Sequence, residues 1–282
     1  MAPVVDAHQH FWDVDALEYA WLTPDAGPIH RTFAYEELEP QLDECGVDVT
    51  VLVQAEGSFA DTDSMLAQSD RHPRLIAVVG WVPLLDPAAT ADALERYGAD
   101  RRYVGVRHQV HDEPDPDWIL RPAVLESLGL VAARGLTWDQ IATIPRHLEH
   151  VPPLAEKHPG LRIVIDHLAK PPIAAGGWEP WAGLLARAAE YPNVYAKISG
   201  LDTAAAPGWA AGDLRRYVDH GLEVFGPQRL MWGSDWPVSV LAGGYRRAWD
   251  ATQELLAPLD EADRAAVLGG TATTFYRLPG LG

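Results

Sequence analysis

Cysteine is nearly absent. Cys45 is the only one in 282 residues, which rules out an intrachain disulfide framework and any metal site built on several thiolates. No apolar run approaches the roughly 18 residues that a membrane span requires. The first residues show no basic segment leading into an apolar stretch and a cleavage site. A cytoplasmic protein without a membrane partner is therefore expected. Basic residues are scarce as well: 22 against 40 acidic ones leave a formal charge of −18. That balance repels nucleic-acid phosphates and anionic lipid surfaces. A small anionic ligand stays open, because a local cluster of cations overrides the global sign at short range. No G-x-G-x-x-G or phosphate-cradling loop follows an early strand, which weakens an open nucleotide-binding sheet. Nothing linker-like or low in complexity divides the chain, so residues 1–282 are expected to form one domain.

What the sequence does hold is a repeated unit: a helical pattern, a Gly or Pro break, then a short apolar strand. Pro73, Pro159, Pro192 and Pro227 each stand between a helical pattern and a strand. Proline cannot continue a helix, and it pushes the residue before it out of the α region. Gly46, Gly98 and Gly135 can end helices in the same way. With the opening strand at Val4, this predicts strands over 48–54, 75–82, 103–110, 136–138, 162–167, 194–198 and 230–234. Helical patterns such as 88–97, 181–191 and 214–225 lie between them. Eight strands alternating with helices point to parallel pairing and an α/β fold, a closed (β/α)8 TIM barrel.

In such barrels the reactive groups sit at the carboxyl ends of the strands. Here those ends carry His8 and His10; Gln54 with Glu56; Trp81; Arg107-His108-Gln109; Trp138-Asp139; Asp166-His167 with Lys170; Lys197 and Ser199; and Ser234-Asp235-Trp236-Pro237. Alternate residues of a strand share a face, so His8 and His10 point the same way, about 6.6 Å apart along the backbone, and Asp6 has the same parity. His167 shares parity with Ile163 and Ile165, an apolar face expected to point into the barrel. Asp235 shares parity with Met231 and Gly233. Its use as a helix cap is the weaker explanation, since the next helical pattern starts only after Gly243-Gly244.

The stretches Asp6-Ala7-His8-Gln9-His10-Phe11-Trp12-Asp13, Gly105-Val106-Arg107-His108, Ile165-Asp166-His167-Leu168-Ala169-Lys170-Pro171, Lys197-Ile198-Ser199-Gly200-Leu201 and Trp232-Gly233-Ser234-Asp235-Trp236-Pro237 run in order across the chain. In these the sequence resembles the amidohydrolase superfamily, and within it the barrel hydrolases that include sugar lactonases. The resemblance implies the (β/α)8 fold and a site of His8, His10, His167 and Asp235. The lysine after strand four, or histidine at strand five, that completes a binuclear centre in many members is replaced by Arg107-His108 and Trp138-Asp139. A lysine-carbamate bridge is therefore not expected. Three histidines and a carboxylate suit one divalent ion, such as zinc. The lactonase branch is also associated with chemistry that needs no metal, so both possibilities stand at this point.

The expected reaction is hydrolysis of an aldonolactone, such as a fucono- or rhamnonolactone, to the sugar acid. Asp235 is the candidate base for a water held near His8, His10 and His167. Arg107 and His108 are candidates to hold the carbonyl oxygen, and Asp235 or His108 to return the proton. Lys170 and Lys197 are candidate partners of a substrate or product carboxylate. Gln54, Asp139 and Trp236 are candidates to recognise a hydroxyl-rich ring, with the tryptophan as a stacking face. Two alternatives use the same barrel: zinc-dependent decarboxylation or hydration of an unsaturated or aromatic acid, and non-catalytic binding of a sugar acid. The loops 14–32 and 111–121 are expected to close the pocket. The remaining histidines, His111 among them, are read as loop or helix-surface residues.

Overall fold

The eight strands run β1 (Val5–Gln9), β2 (Val49–Val53), β3 (Leu75–Gly80), β4 (Tyr103–Arg107), β5 (Thr137–Gln140), β6 (Arg162–Ile165), β7 (Val194–Ile198) and β8 (Leu230–Trp232) in a computed structural model describing residues 2–281. They pair in parallel, in sequence order, in one sheet. The ring is closed by the backbone: His10 N donates to the Trp236 carbonyl at 2.7 Å, and Asp235 N to the His8 carbonyl at 2.8 Å. The (β/α)8 barrel expected from the sequence is the fold observed. The fifth strand, the shortest of those expected, is real and pairs with both neighbours.

Helices α1 (Tyr35–Cys45), α2 (Phe59–Arg71), α3 (Pro87–Tyr97) and α4 (Pro122–Ala133) follow the first four strands. Next come α5 (Pro145–Glu149), α6 (Val151–Lys157), α7 (Trp181–Ala189), α8 (Ala211–Phe225), α9 (Tyr245–Leu256), α10 (Glu261–Ala265) and α11 (Thr271–Tyr276). Local chemistry sets their ends. Ser58 Oγ caps α2 by accepting from Asp61 N, the Asp86 carboxylate caps α3 by accepting from Ala89 N, and Gly46 ends α1 in the left-handed conformation. No helix is long and apolar enough to cross a membrane among the described residues.

Two apolar layers follow. Val5, Ala7, Val51, Val53, Ala77, Val79, Val164 and Met231 fill the barrel interior, where Phe275 and Tyr276 of α11 join them. The larger layer lies between strands and helices and includes Leu52, Val106, Ile163, Ile165 and Trp232. This partition corrects two parity readings. Along β1 the register against β2 slips between Asp6 and Gln9, so three steps on one strand match two on the other. Asp6 therefore faces outward towards Tyr245, while His8 faces the site. Asp6 does not join the histidines: its Oδ1 accepts from Ser234 N at 2.9 Å and His8 N at 3.2 Å, tying β1 to β8. Burial pushes its carboxyl up to about 6.

On β6, Ile163 and Ile165 pack against helices, and Val164 and Asp166 face inward. His167 reaches the site by another route. His167, Leu168, Ala169 and Lys170 all have positive φ, between 46° and 61°. For non-glycine residues this costs about 1 kcal/mol or more each. The turn swings His167 back over the barrel mouth.

The seam between β1 and β8 tolerates no side chain at Gly233. A Cβ there would sit 2.6 Å from His8 Cβ and 2.9 Å from the His8 backbone nitrogen. Gly233→Ala is expected to push β8 from β1, lowering stability by about 1–3 kcal/mol in denaturant titration. Stability equal to wild type would show that the seam can relax.

Candidate active site

The carboxyl ends of the strands surround a cavity lined by His10, Trp12, Trp21, Ala55, Arg107, Gln109, His111, Ile141, Ala142, Thr143, His167, Lys170, Asp235 and Val238. Its floor is polar and its upper wall is largely apolar. A smaller space, lined by Ser199, Asp202 and Thr252 among others, lies between β7, β8 and the outer helices, away from this floor.

Three imidazoles converge on one carboxylate oxygen. Asp235 Oδ1 lies 3.5 Å from His10 Nε2, 3.7 Å from His8 Nε2 and 3.9 Å from His167 Nε2. Each ring is aimed through its other nitrogen. His10 Nδ1 donates to the Val53 carbonyl at 2.7 Å, which leaves the Nε2 lone pair free. His167 Nδ1 is held by Ser199 Oγ at 2.8 Å. His8 Nδ1 lies between Lys197 Nζ at 3.0 Å and Asp166 Oδ1 at 3.3 Å. When that nitrogen donates to Asp166, the His8 Nε2 lone pair faces the site; when it accepts from Lys197, Nε2 carries the hydrogen towards His10 Nε2 at 3.1 Å.

Burial lowers the pKa of all three imidazoles, with Lys197 adding to the effect at His8, and His167 falls to about 4. They are neutral at pH 7. Burial alone would raise the Asp235 carboxyl, but His167, His10 and His8 whenever they carry a proton, together with the Lys170 ammonium, hold it well below the usual carboxylate range. Neutral imidazoles beside an ionised carboxylate form a donor set that fits a divalent cation. Donor atoms of His8, His167 and Asp235 all lie within 4.8 Å of one another, and His10 Nε2 stands beside them.

Cations surround this floor despite the acidic chain. Arg107 Nε donates to Gln54 Oε1 at 3.0 Å, its Nη2 to the Gln54 carbonyl, and its Nη1 lies 3.3 Å from both Asp166 Oδ2 and His8 Nε2. Lys170 Nζ donates to the Gly200 carbonyl at 3.1 Å and Thr203 Oγ1 at 3.0 Å, and lies 3.9 Å from Asp235 Oδ2. Beneath them, Lys197 Nζ pairs with Asp139 Oδ2 at 2.5 Å and Asp166 Oδ1 at 3.1 Å.

A family model described as amidohydrolase matches residues 5–278. The chain belongs to the amidohydrolase family. It is 41% identical over 278 residues to an L-fucono-1,5-lactonase of Burkholderia ambifaria, covering 97% of this chain and 95% of that one. An L-fucono-1,5-lactonase of Burkholderia multivorans is 33% identical over 293 residues, covering 98% and 96%. An amidohydrolase of Burkholderia multivorans solved with bound zinc superposes with a TM-score of 0.89 at 32% identity, over 99% of this chain and 100% of that one.

Within this amidohydrolase the expected residues divide by position. His10, His167, Asp235, Arg107 and Lys170 line the cavity, and His8 stands fully buried behind them. Five expectations are corrected. His108 does not line the cavity. Its Nδ1 accepts from Trp81 Nε1 at 3.1 Å, its Nε2 donates to Glu113 Oε1 at 2.7 Å, and its ring stacks on Trp118 at 4.2 Å. With both nitrogens engaged, it supports the wall and is no proton donor to the cavity. Lys197 and Asp139 pair with each other below the floor at zero exposure, out of reach of a substrate. Gln54, also fully buried, aims Arg107 and donates to Gln109 Oε1 at 3.0 Å. Trp236 packs between Phe11 and Phe33, with ring centroids 5.7 and 5.4 Å away, and offers no stacking face.

Other residues the sequence reading passed over take part. Asp166 joins Lys197, Arg107 and His8, and its shared parity with Val164 was the available signal. His111, set aside as a surface residue, lines the cavity with Gln109 and Thr143. Trp21 comes from the loop expected to close the pocket, pinned by Nε1 donating to the Ala55 carbonyl at 2.7 Å.

Proposed function

We propose that this amidohydrolase opens a sugar lactone, an aldonolactone such as L-fucono-1,5-lactone, to the sugar acid by attack of water at the carbonyl carbon. The observation that carries the reading is the convergence of His8, His10 and His167 on Asp235 Oδ1 at the cavity floor. The lactonases to which the chain is 41% and 33% identical support the substrate class.

In the reaction, water sits beside Asp235 at the cavity floor and gives its proton to Asp235 as its oxygen bonds to the carbonyl carbon. Asp235 is ionised throughout the neutral range, so it begins as an acceptor. The Arg107 guanidinium, fixed by Gln54 and Asp166, stabilises the oxyanion that forms on the carbonyl oxygen. As the intermediate collapses, the ring C–O bond breaks and protonated Asp235 returns its proton to the departing ring oxygen. The product is a hydroxy acid, whose carboxylate Lys170 attracts. His111, Gln109 and Thr143 supply polar contacts to ring hydroxyls, and Ile141 and Val238 face the less polar edge.

The ion suited to this donor set is zinc, held by His8, His10 and His167 through Nε2 and by Asp235. When bound, a divalent cation polarises the lactone carbonyl and lowers the pKa of a nearby water. The protein acts in the cytoplasm on a free small molecule, with residues 1–282 working as one domain.

A pH-indicator assay over a panel of aldonolactones, with and without chelator, tests both statements. Acid release is expected for at least one 6-deoxysugar lactone, and activity reduced about tenfold or more by chelation and restored by zinc supports the ion. No turnover across the panel overturns the lactonase reading. Full activity after verified metal removal overturns the zinc assignment alone.

A further inference from the structure

Beneath the cavity floor, one hydroxyl group joins the C-terminal helix to the site. Tyr276, on α11, is 2% exposed and packs within the barrel interior. Its hydroxyl donates to Asp139 Oδ2 at 2.7 Å. The same oxygen accepts from Lys197 Nζ at 2.5 Å, and the ammonium lies 5.6 Å from the Tyr276 ring centroid. Lys197 in turn reaches Asp166 Oδ1 at 3.1 Å and His8 Nδ1 at 3.0 Å. Asp139 Oδ1 has no hydrogen-bond partner among the described residues, so Lys197 and Tyr276 between them hold that carboxylate.

We infer that Tyr276 is a positioning residue for the active site: its hydroxyl fixes Asp139, which holds Lys197 against Asp166, the carboxylate beside His8 Nδ1, and so sets the His8 ring. The inference rests on the proposed lactone hydrolysis for one of its readouts. The Lys197 ammonium stands between two carboxylates, Asp139 and Asp166, and Asp166 Oδ1 lies 3.3 Å from His8 Nδ1, the nitrogen that carries the hydrogen when Nε2 faces the site. The position of the ammonium is the balance of these two pulls. Without the tyrosine hydroxyl, the fully buried Asp139 carboxylate has only Lys197 to satisfy it and turns to take both oxygens to the ammonium. Lys197 then shifts away from Asp166, and the carboxylate that faces His8 Nδ1 loses its fixed position. Catalytic constellations tolerate little of this, since a misplacement of about 1 Å costs on the order of 100-fold in rate, and removing an outer partner of a metal-ligating histidine costs about 10–100-fold in affinity.

Tyr276→Phe keeps the ring, its packing and its contact with the ammonium while removing the hydroxyl. In the full-length protein, kcat on a lactone that the wild type opens is expected to fall about tenfold, with KM within about twofold and Tm within about 4 °C. Zinc affinity, measured by competition with a chromogenic chelator, is expected to fall about tenfold. Asp139→Asn is expected to lower kcat and zinc affinity in the same way, with a lower Tm as well because it removes one partner of the buried pair with Lys197, and the double variant to cost no more in kcat and zinc affinity than Asp139→Asn alone. Wild-type kcat and zinc affinity in Tyr276→Phe overturn the inference, as does a fall in Tm alone, which marks the hydroxyl as purely structural. If the wild type opens no lactone, the functional reading fails and zinc affinity decides the positioning role. A wild type with neither activity nor zinc binding overturns both.

Discussion

Asp235→Asn is expected to lower kcat/KM for lactone opening by about 1,000-fold or more while leaving the barrel folded. The substitution changes one oxygen to an amide and keeps the shape, so the backbone hydrogen bond from Asp235 N to the His8 carbonyl survives. What disappears is the acceptor that three imidazoles face at 3.5–3.9 Å. A positioned general base contributes about 100- to 10,000-fold, and tenfold corresponds to about 1.4 kcal/mol of barrel-held transition-state stabilisation. The upper part of that range applies here because the same group returns the proton to the ring oxygen. Far-ultraviolet circular dichroism and Tm report the fold, and steady-state kinetics report the loss. A folded variant with kcat/KM within tenfold of wild type would remove Asp235 from the role of base.

The barrel was legible because its signal is repeated. Helix, break and apolar strand recur seven times after the opening strand, and proline and glycine mark the boundaries by backbone chemistry that tertiary packing does not override. The site was legible for a related reason: polar residues gather at one end of apolar strands, and His8, His10, His167 and Asp235 all lie at such ends.

Orientation was much less legible. Strand parity assumes an unbroken ladder, and β1 breaks it at the slip between Asp6 and Gln9. On β6 both faces are apolar, as expected of a parallel strand covered on both sides, so Ile163 and Ile165 looked no different from an inward face. His167 reaches the site through four consecutive positive-φ residues, a turn that no propensity at His167, Leu168, Ala169 or Lys170 announces.

Depth was the other missing quantity. Asp139, Lys197 and Gln54 occupy the same strand ends as true cavity residues, but they lie one layer lower. A one-dimensional list of strand ends cannot separate a floor from what supports it. Long-range partners such as Tyr276, 137 positions from Asp139, carry no local mark either.

That lower layer is the basis of the second large effect. Lys197→Met is expected to destabilise the protein by about 3–5 kcal/mol, because it breaks a buried ion cluster by removing one partner. Methionine fills similar space, so little of the loss comes from a cavity. The loss comes from Asp139 and Asp166, both essentially unexposed, which Lys197 Nζ bridges at 2.5 and 3.1 Å. Without the cation, Asp139 keeps only the Tyr276 hydroxyl, while Asp166 keeps Arg107 Nη1 at 3.3 Å and His8. Burial already pushes the Asp139 carboxyl up, with Lys197 opposing that shift, so removing Lys197 raises it further. A carboxyl with a folded pKa above its unfolded value contributes stability below the unfolded pKa and loses it as pH rises through the folded pKa. The deficit of Lys197→Met should therefore be larger at pH 8 than at pH 5. Adding Asp139→Asn removes one of the two stranded charges and is expected to recover part of the loss, since a matched neutral arrangement costs far less than half of an ion pair. Denaturant titration of both variants at the two pH values measures the effect. A Lys197→Met protein as stable as wild type at pH 8 would mean that water or a backbone shift resolvates the two carboxylates, and that the cluster is not what holds the floor of the site.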